Sequence, residues 1–334
     1  MGEVLVGTCS WTDPTLLATD FYPNDADTAE KRLRYYARHF SLVEVDSTYY
    51  SMLAQKTARL WVERTPEDFT FNIKAFSLFT QHPTRLQALP GDIRSLMPPL
   101  GKSNLYYRDV PEDIRGLLWQ RFNDALLPLD SAGKLGAVLF QFPEWFSPGR
   151  AAKEHLTRCK RYLPQYRLAI EFRNGAWFSE GREQETLDFL RDNDFTYVCV
   201  DEPQGFTSSV PPVVEATSNV GVVRFHGRNK DNWVKKGISV AERFKYLYSD
   251  EELGKWLPGL AGLASRVKQL HVLFNNCYGD YGVRNARDIG RMMGSQPALF
   301  PDYLRVSKAK AEERSAEACS RDQEAKGGIG RTWT

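Results

Sequence analysis

Leu42-Val43-Glu44-Val45-Asp46-Ser47-Thr48-Tyr49-Tyr50 is the stretch from which the fold is read. Side chains of an extended segment alternate between two faces, so Val43 and Val45 share one face while Leu42, Glu44 and Asp46 share the other. One face is apolar and calls for a helix to pack on it. The other gains charge toward the end of the segment. Seven more short apolar runs have strand length, and with 42–48 they give eight: 4–10, 69–75, 136–141, 167–173, 195–201, 220–226 and 269–275. Apolar residues at helical spacing fill 29–40, 56–64, 111–127, 150–162, 182–193, 250–264 and 283–293. Pro111 suits a first helical turn, and Asp250 suits an N-cap. Eight strands alternating with seven helices predict an α/β fold, a single (β/α)8 TIM-type barrel with a parallel sheet. The chain has 334 residues, and a barrel domain over about 1–300 fits that length.

Two segments interrupt the rhythm. A long insertion at about 83–110, with Pro90-Gly91 and Pro98-Pro99, separates the third and fourth runs and reads as a lid or small subdomain. Residues 204–219 join the sixth and seventh runs with little helical pattern. A polar C-terminal tail at 301–334 reads as a helical fragment fading into disorder.

The balance of 44 basic against 42 acidic residues gives a net charge of +2, which excludes a strongly basic nucleic-acid coating protein but leaves room for a local basic patch. Five widely spaced cysteines without a Cys-x-x-Cys pair predict neither a disulfide framework nor a thiolate zinc site, and point to a reducing, cytoplasmic compartment. No run of 18 apolar residues occurs and Met1-Gly2-Glu3-Val4 opens no signal peptide, so no membrane partner is expected.

Applied to the runs from 42–48 onward, the alternation that separates Glu44 from Val45 predicts a polar set pointing into the barrel. It comprises Glu44, Asp46, Lys74, Gln141, Glu171, Arg173, Asp201, Arg224, His226 and Asn275. Their late positions place them at the C-terminal rim, where barrel enzymes keep their active sites. Glu44, Lys74, Glu171, Asp201 and His226 are the candidate catalytic groups, because carboxylates, an imidazole and an amine can exchange protons or form a Schiff base. A salt bridge from Lys74 to Glu44 or Glu171 is the plainer role for that lysine. Trp11, Asp46, Tyr49, Gln141, Arg173, Trp177, Arg224, Arg228, Asn275 and Asn276 are the candidate substrate-binding groups. Arginine forks suit phosphate or carboxylate, and aromatic rings that follow strands, such as Trp145 and Trp233, suit sugars or bases. Few histidines face inward, so neither a metal nor any other cofactor is expected.

These residues sit in segments that resemble the domain of unknown function 72 family, the YecE-like proteins. The resemblance runs through Gly7-Thr8-Cys9-Ser10-Trp11, Val43-Glu44-Val45-Asp46-Ser47-Thr48-Tyr49-Tyr50, Phe69-Thr70-Phe71-Asn72-Ile73-Lys74, Phe140-Gln141-Phe142-Pro143, Glu171-Phe172-Arg173, Arg224-Phe225-His226-Gly227-Arg228-Asn229 and Phe274-Asn275-Asn276. It covers about residues 4–293 and implies a TIM barrel. Where the family pattern has Thr-His after the third strand, Gln81 here separates Thr80 from His82. The resemblance brings no reaction. Comparison of some members with endonuclease IV-like barrels implies nucleic acid as one ligand class. The reading is therefore a barrel enzyme using acid/base, hydrolytic or phosphodiester chemistry on an anionic, phosphate-bearing sugar, nucleotide or nucleic-acid ligand at the rim. The alternatives are a non-catalytic nucleic-acid-binding module and a metal-free lyase or isomerase using Lys74. Oligomeric state is left open.

Overall fold

The structure, a computed structural model, describes residues 1–99 and 101–294. The tail expected at 301–334 lies outside them. Among the described residues ten strands are formed: β1 (Glu3–Thr8), β2 (Leu42–Val45), β3 (Thr70–Lys74), β4 (Thr84–Arg85), β5 (Asn104–Leu105), β6 (Leu135–Gln141), β7 (Leu168–Glu171), β8 (Phe195–Asp201), β9 (Val220–Phe225) and β10 (Gln269–Phe274). Eight of them close a parallel barrel in the order β1-β10-β9-β8-β7-β6-β3-β2. This is the (β/α)8 architecture that the alternation predicts. Closure leaves no sheet edge, and both faces of each strand can be buried.

The outward face carries Val43, Val45, Phe71, Ile73, Phe140, Ile170, Val223, Phe225, Val272 and Phe274, all buried against the surrounding helices. Those helices are Ala29–Ala37, Gln55–Glu63, Glu112–Ser131, Arg150–Tyr162, Glu183–Asp192, Leu257–Arg266 and Tyr281–Met292. The connection from β8 to β9 has no helix of its own. The helix expected over 250–264 is broken into Asp250–Gly254 and Leu257–Arg266. Pro258, in the first turn of the second piece, has no N–H and its ring would clash with a carbonyl one turn back. The cap of the first piece is Ser249, whose hydroxyl takes the Glu252 N–H while the Glu252 carboxylate takes the Ser249 N–H. Asp250 is the residue after it.

The insertion after β3 folds on itself. β4 and β5 pair antiparallel, and Leu89, Ile93, Leu105, Tyr107 and Val110 bury its apolar side. At the N-terminal end the barrel interior closes around Gly136, whose carbonyl accepts from Arg167 Nη1 at 3.1 Å. A Cβ on Gly136 would meet Asn72 Oδ1 at 2.6 Å, Thr70 Cγ2 at 2.6 Å and His271 Cε1 at 2.8 Å, so only glycine lets these three close the floor. Among the described residues no helix is long and apolar enough to cross a membrane, and Cys9, Cys159, Cys199 and Cys277 are free thiols.

Candidate functional site

Above that floor, the C-terminal ends of the strands bring a charged cluster onto the barrel axis. Arg224 of β9 is its centre and is fully buried. One guanidinium nitrogen donates to Glu44 of β2, and the other donates to Glu171 of β7. The same two nitrogens reach Cys9 Sγ and Gln141 Oε1, each at 3.5 Å. Asp46 Oδ1 lies 4.0 Å from Arg224 and 3.3 Å from Lys74 Nζ. Lys74 therefore forms its salt bridge with Asp46, not with Glu44 or Glu171. Glu171 Oε1 faces Arg173 Nη1 at 3.3 Å and His226 Nε2 at 3.2 Å. His226 Nδ1 sits 2.9 Å from the Asn275 amide. With Asn275 donating to Nδ1, the ring proton belongs on Nε2, toward Glu171.

The charges in this cluster do not share one fate. Burial pushes the Glu44 carboxyl up to about 7, against the pull of Arg224, and Asp46 beside it pushes the same way. Burial would also raise Glu171, but Arg224, His226 and Arg173 together hold it well below the usual carboxylate range. Burial pushes His226 down to about 3 despite Glu171, so the imidazole is neutral.

Alternation also brings a group to this end of the barrel that the sequence reading missed. Ile170 pairs with Tyr197, and Asp201 pairs with Phe225. Neighbours in register point the same way, and Ile170 and Phe225 face the helices. So Tyr197, Cys199 and Asp201 face outward, and the inward residue is Glu202. Its Oε2 meets Arg173 Nη1 at 2.8 Å, and Oε1 accepts the Val210 N–H at 2.7 Å. Burial pushes Glu202 up to about 7, with Arg173 opposing.

Asp201 is thus corrected from an interior catalytic group to an anchor behind the sheet. Oδ1 accepts from Arg228 Nε at 2.8 Å and Tyr248 OH at 3.1 Å; Oδ2 accepts from Arg228 Nη2 and from Trp256 Nε1 at 2.7 Å. Arg228 is turned to Asp201 and does not join the cluster. Asn276 is likewise fully buried away from the axis, its amide donating to Tyr246 O and Asn285 Oδ1. Together with Tyr248, whose OH takes the Gly227 N–H, these groups tie down both ends of the loop that follows β9. Gly227 itself has φ 87°, and a Cβ there would meet Tyr246 Cβ at 2.7 Å.

That loop covers the cluster. Trp233 lies over the Arg173 guanidinium at 4.7 Å, and Phe244 is 6.0 Å from the His226 ring. Phe244 too is a residue that the spacing of strands could not single out. Two of the expected rim aromatics are not at the rim. Trp177 is fully buried, stacked on Phe172 at 4.2 Å with its N–H given to Phe146 O. Trp11 is buried edge-on against Trp61 at 5.5 Å. Neither offers a face to a ligand. Tyr49 does lie at the mouth, with Lys74 Nζ 5.2 Å from its ring centre. Among the described residues, no group of three or more His, Cys, Asp or Glu side chains is placed to hold a metal ion.

The geometry has relatives. A UPF0759 protein, YunF, of Bacillus subtilis is 33% identical over 294 residues, which is 87% of this chain and 93% of that one. A solved DUF72 family protein of Enterococcus faecalis superposes with a TM-score of 0.71 at 25% identity, covering 90% of this chain and 97% of its own. Another, from Thermotoga maritima, gives 0.67 at 29% identity over 87% and 99%. The family model described as "Protein of unknown function DUF72" matches residues 5–310, and with a buried Arg224 cluster at the mouth of a closed barrel the chain belongs to that family.

Proposed function

We propose that the barrel is an enzyme performing general acid/base, hydrolytic chemistry on a small polar substrate at its C-terminal mouth. One observation carries the reading: Glu44 and Glu171 are held by the same guanidinium, yet one is pushed to about 7 while the other stays ionised. Two carboxyls with diverging proton affinities divide the labour of acid and charge stabiliser. In this reading Glu44 delivers a proton near neutral pH, and Glu171 stabilises positive charge. Glu202 is a second titrating carboxyl beside Arg173. His226, neutral and oriented by Asn275, turns its Nε2–H to Glu171 and fixes the orientation of that carboxylate.

The pairing of cations argues against the phosphate-bearing and nucleic-acid ligands. Arg224 faces Glu44 and Glu171, Arg173 faces Glu171 and Glu202, Arg228 faces Asp201, and Lys74 faces Asp46. A site that neutralises several phosphates needs cations left over for them. The engaged Lys74 likewise gives little support to a Schiff base.

The test is turnover of chromogenic glycosides, esters and phosphodiesters by the purified chain. Hydrolysis of one class is expected, with a pH–rate limb near 7 and a loss of about 100-fold or more in Glu44→Gln. Binding without turnover in any class, with affinity falling steeply in salt, would return the barrel to the nucleic-acid-binding alternative.

A further inference from the structure

The two most exposed aromatic rings among the described residues both stand at this one mouth: Tyr50 at 65% and Trp145 at 53%. They end a continuous ladder. Tyr50 meets Tyr49 at 4.9 Å, Tyr49 meets His82 at 5.2 Å, and His82 meets Trp145 at 5.8 Å. All three contacts are edge-to-face, so none is a face-to-face stack. His82 takes its place because Gln81 adopts φ 62°, a left-handed conformation that a non-glycine residue holds only when its surroundings enforce it. The residue that interrupts Thr80 and His82 thus turns the imidazole onto the ladder, where Thr80 Oγ1 fixes Nδ1 at 2.9 Å. Burial, then Lys74 and Arg173, push His82 down to about 4, so the ladder is uncharged.

At its foot lie Lys74 and Asp46, whose carboxylate is 27% exposed and is the same group that reaches Arg224. The ladder and the buried cluster therefore share a residue. We infer that this wall is a binding subsite for a neutral, polyhydroxylated ring, a carbohydrate unit. The C–H face of the ring stacks on Trp145 or Tyr50, and its hydroxyls donate to Asp46 and accept from Lys74. A nucleobase would also stack. Its phosphates, however, would meet an exposed carboxylate and a lysine already paired with it. A sugar brings hydrogen-bond donors in place of charge, which is what a carboxylate at the foot of an apolar wall selects. The inference deepens the hydrolytic reading and rests on it for the reacting groups, but binding is measured without turnover.

The experiment is a screen of the full chain against immobilised neutral oligosaccharides of glucose, galactose, mannose, xylose and N-acetylglucosamine. Titration calorimetry then follows at low salt and at about 0.5 M NaCl, where charge pairs are screened. At least one neutral sugar is expected to bind with nearly salt-independent affinity. Trp145→Ala and Tyr50→Ala, both at exposed positions and melting like the wild type, should weaken it, and one of them by about tenfold or more, as loss of a stacked ring does. Asp46→Asn should weaken it as well. No binding to any sugar, or binding unchanged in all three variants, overturns the subsite. So does capture of nucleotides or oligonucleotides alone, with affinity collapsing in salt. Sugar binding without turnover would sink the hydrolytic reading only; hydrolysis of another class without sugar binding would sink the subsite only.

Discussion

Arg224 and Asp201 are both buried charges on the last strands of one barrel, and their surroundings are opposites. Asp201, behind the sheet, has both oxygens filled by four donors from Arg228, Tyr248 and Trp256. Arg224, on the axis, is shared among too many carboxyls. Glu44 Oε2 and Arg224 Nε stay without a partner although buried. A satisfied network holds a loop in place. An overcrowded one, in which a carboxyl holds its proton up to about pH 7, costs stability and is the kind of strain that sites of chemistry carry. The outward cluster anchors a loop, the inward one carries the proposed function, and the contrast can be broken at either end.

The harshest break is Arg224→Met. It leaves Glu171 only Arg173, which Glu202 shares, beside a neutral His226, and breaking a buried pair by removing one partner costs roughly 3–5 kcal/mol. Denaturant melts should show that loss at pH 7, with part of it recovered at low pH as the Glu171 carboxyl takes up a proton. A variant as stable as the wild type would mean that Arg173 alone suffices to hold Glu171 and that Arg224 does not centre the cluster.

Glu44→Gln tests whether the crowding is real through the sign of its pH dependence. A carboxyl raised from 4.5 to about 7 binds its proton more tightly in the folded chain. Its stabilising contribution is therefore full below about 4.5 and is lost as pH rises through 7. The neutral amide has no such loss. The stability of Glu44→Gln relative to wild type should climb between pH 5 and 8, by on the order of 3 kcal/mol at most. Burial of His226 acts in the other direction, its contribution being lost as pH falls from 6.5 toward 3, but it is common to both proteins and drops out of the difference. A flat difference would mean that Glu44 is already ionised near pH 5.

Asp201→Asn sharpens the outward half. The charge-assisted bonds from Arg228 and Trp256 are lost or inverted, at a cost of about 2 kcal/mol. Hydrogen exchange should quicken in residues 227–248, which these bonds tie down, while any pH–rate limb near 7 stays in place. Movement of that limb would put Asp201 back in the chemistry.

The barrel was legible because its outward faces are so evenly apolar, and six of the seven strands whose faces were assigned were read in the correct phase from that contrast. β8 was not. Both of its faces are buried, Val198 and Val200 inside, Tyr197 and Cys199 outside, so alternation offers no polar side to choose. The charge of Asp201 tipped the reading, and it stands one residue from Glu202, which points the other way. A one-residue slip in phase exchanges every side chain between faces. Trp11, Trp177 and Asn276 were misplaced for a different reason. Position after a strand locates a residue at one end of the barrel, but whether it faces the axis or the helices depends on loop geometry. Trp233, Phe244 and His82 owe their places to such loops as well.

The mildest break compares the two arginines directly. Arg228 is the outward counterpart of Arg224, with its side chain 37% exposed. Arg228→Met leaves Asp201 the Tyr248 hydroxyl and the Trp256 N–H, and water can reach the side that Arg228 covered. A partly exposed pair contributes at most about 1 kcal/mol, screened by salt, so the variant should melt within that margin of wild type and the margin should narrow as NaCl is added. The same Arg-to-Met change thus differs several-fold in cost between the two faces of one strand end. The order is what matters. If Arg228→Met proves as costly as Arg224→Met, the outward network is no less dependent on its cation than the inward one, and the separation of anchor from active cluster fails.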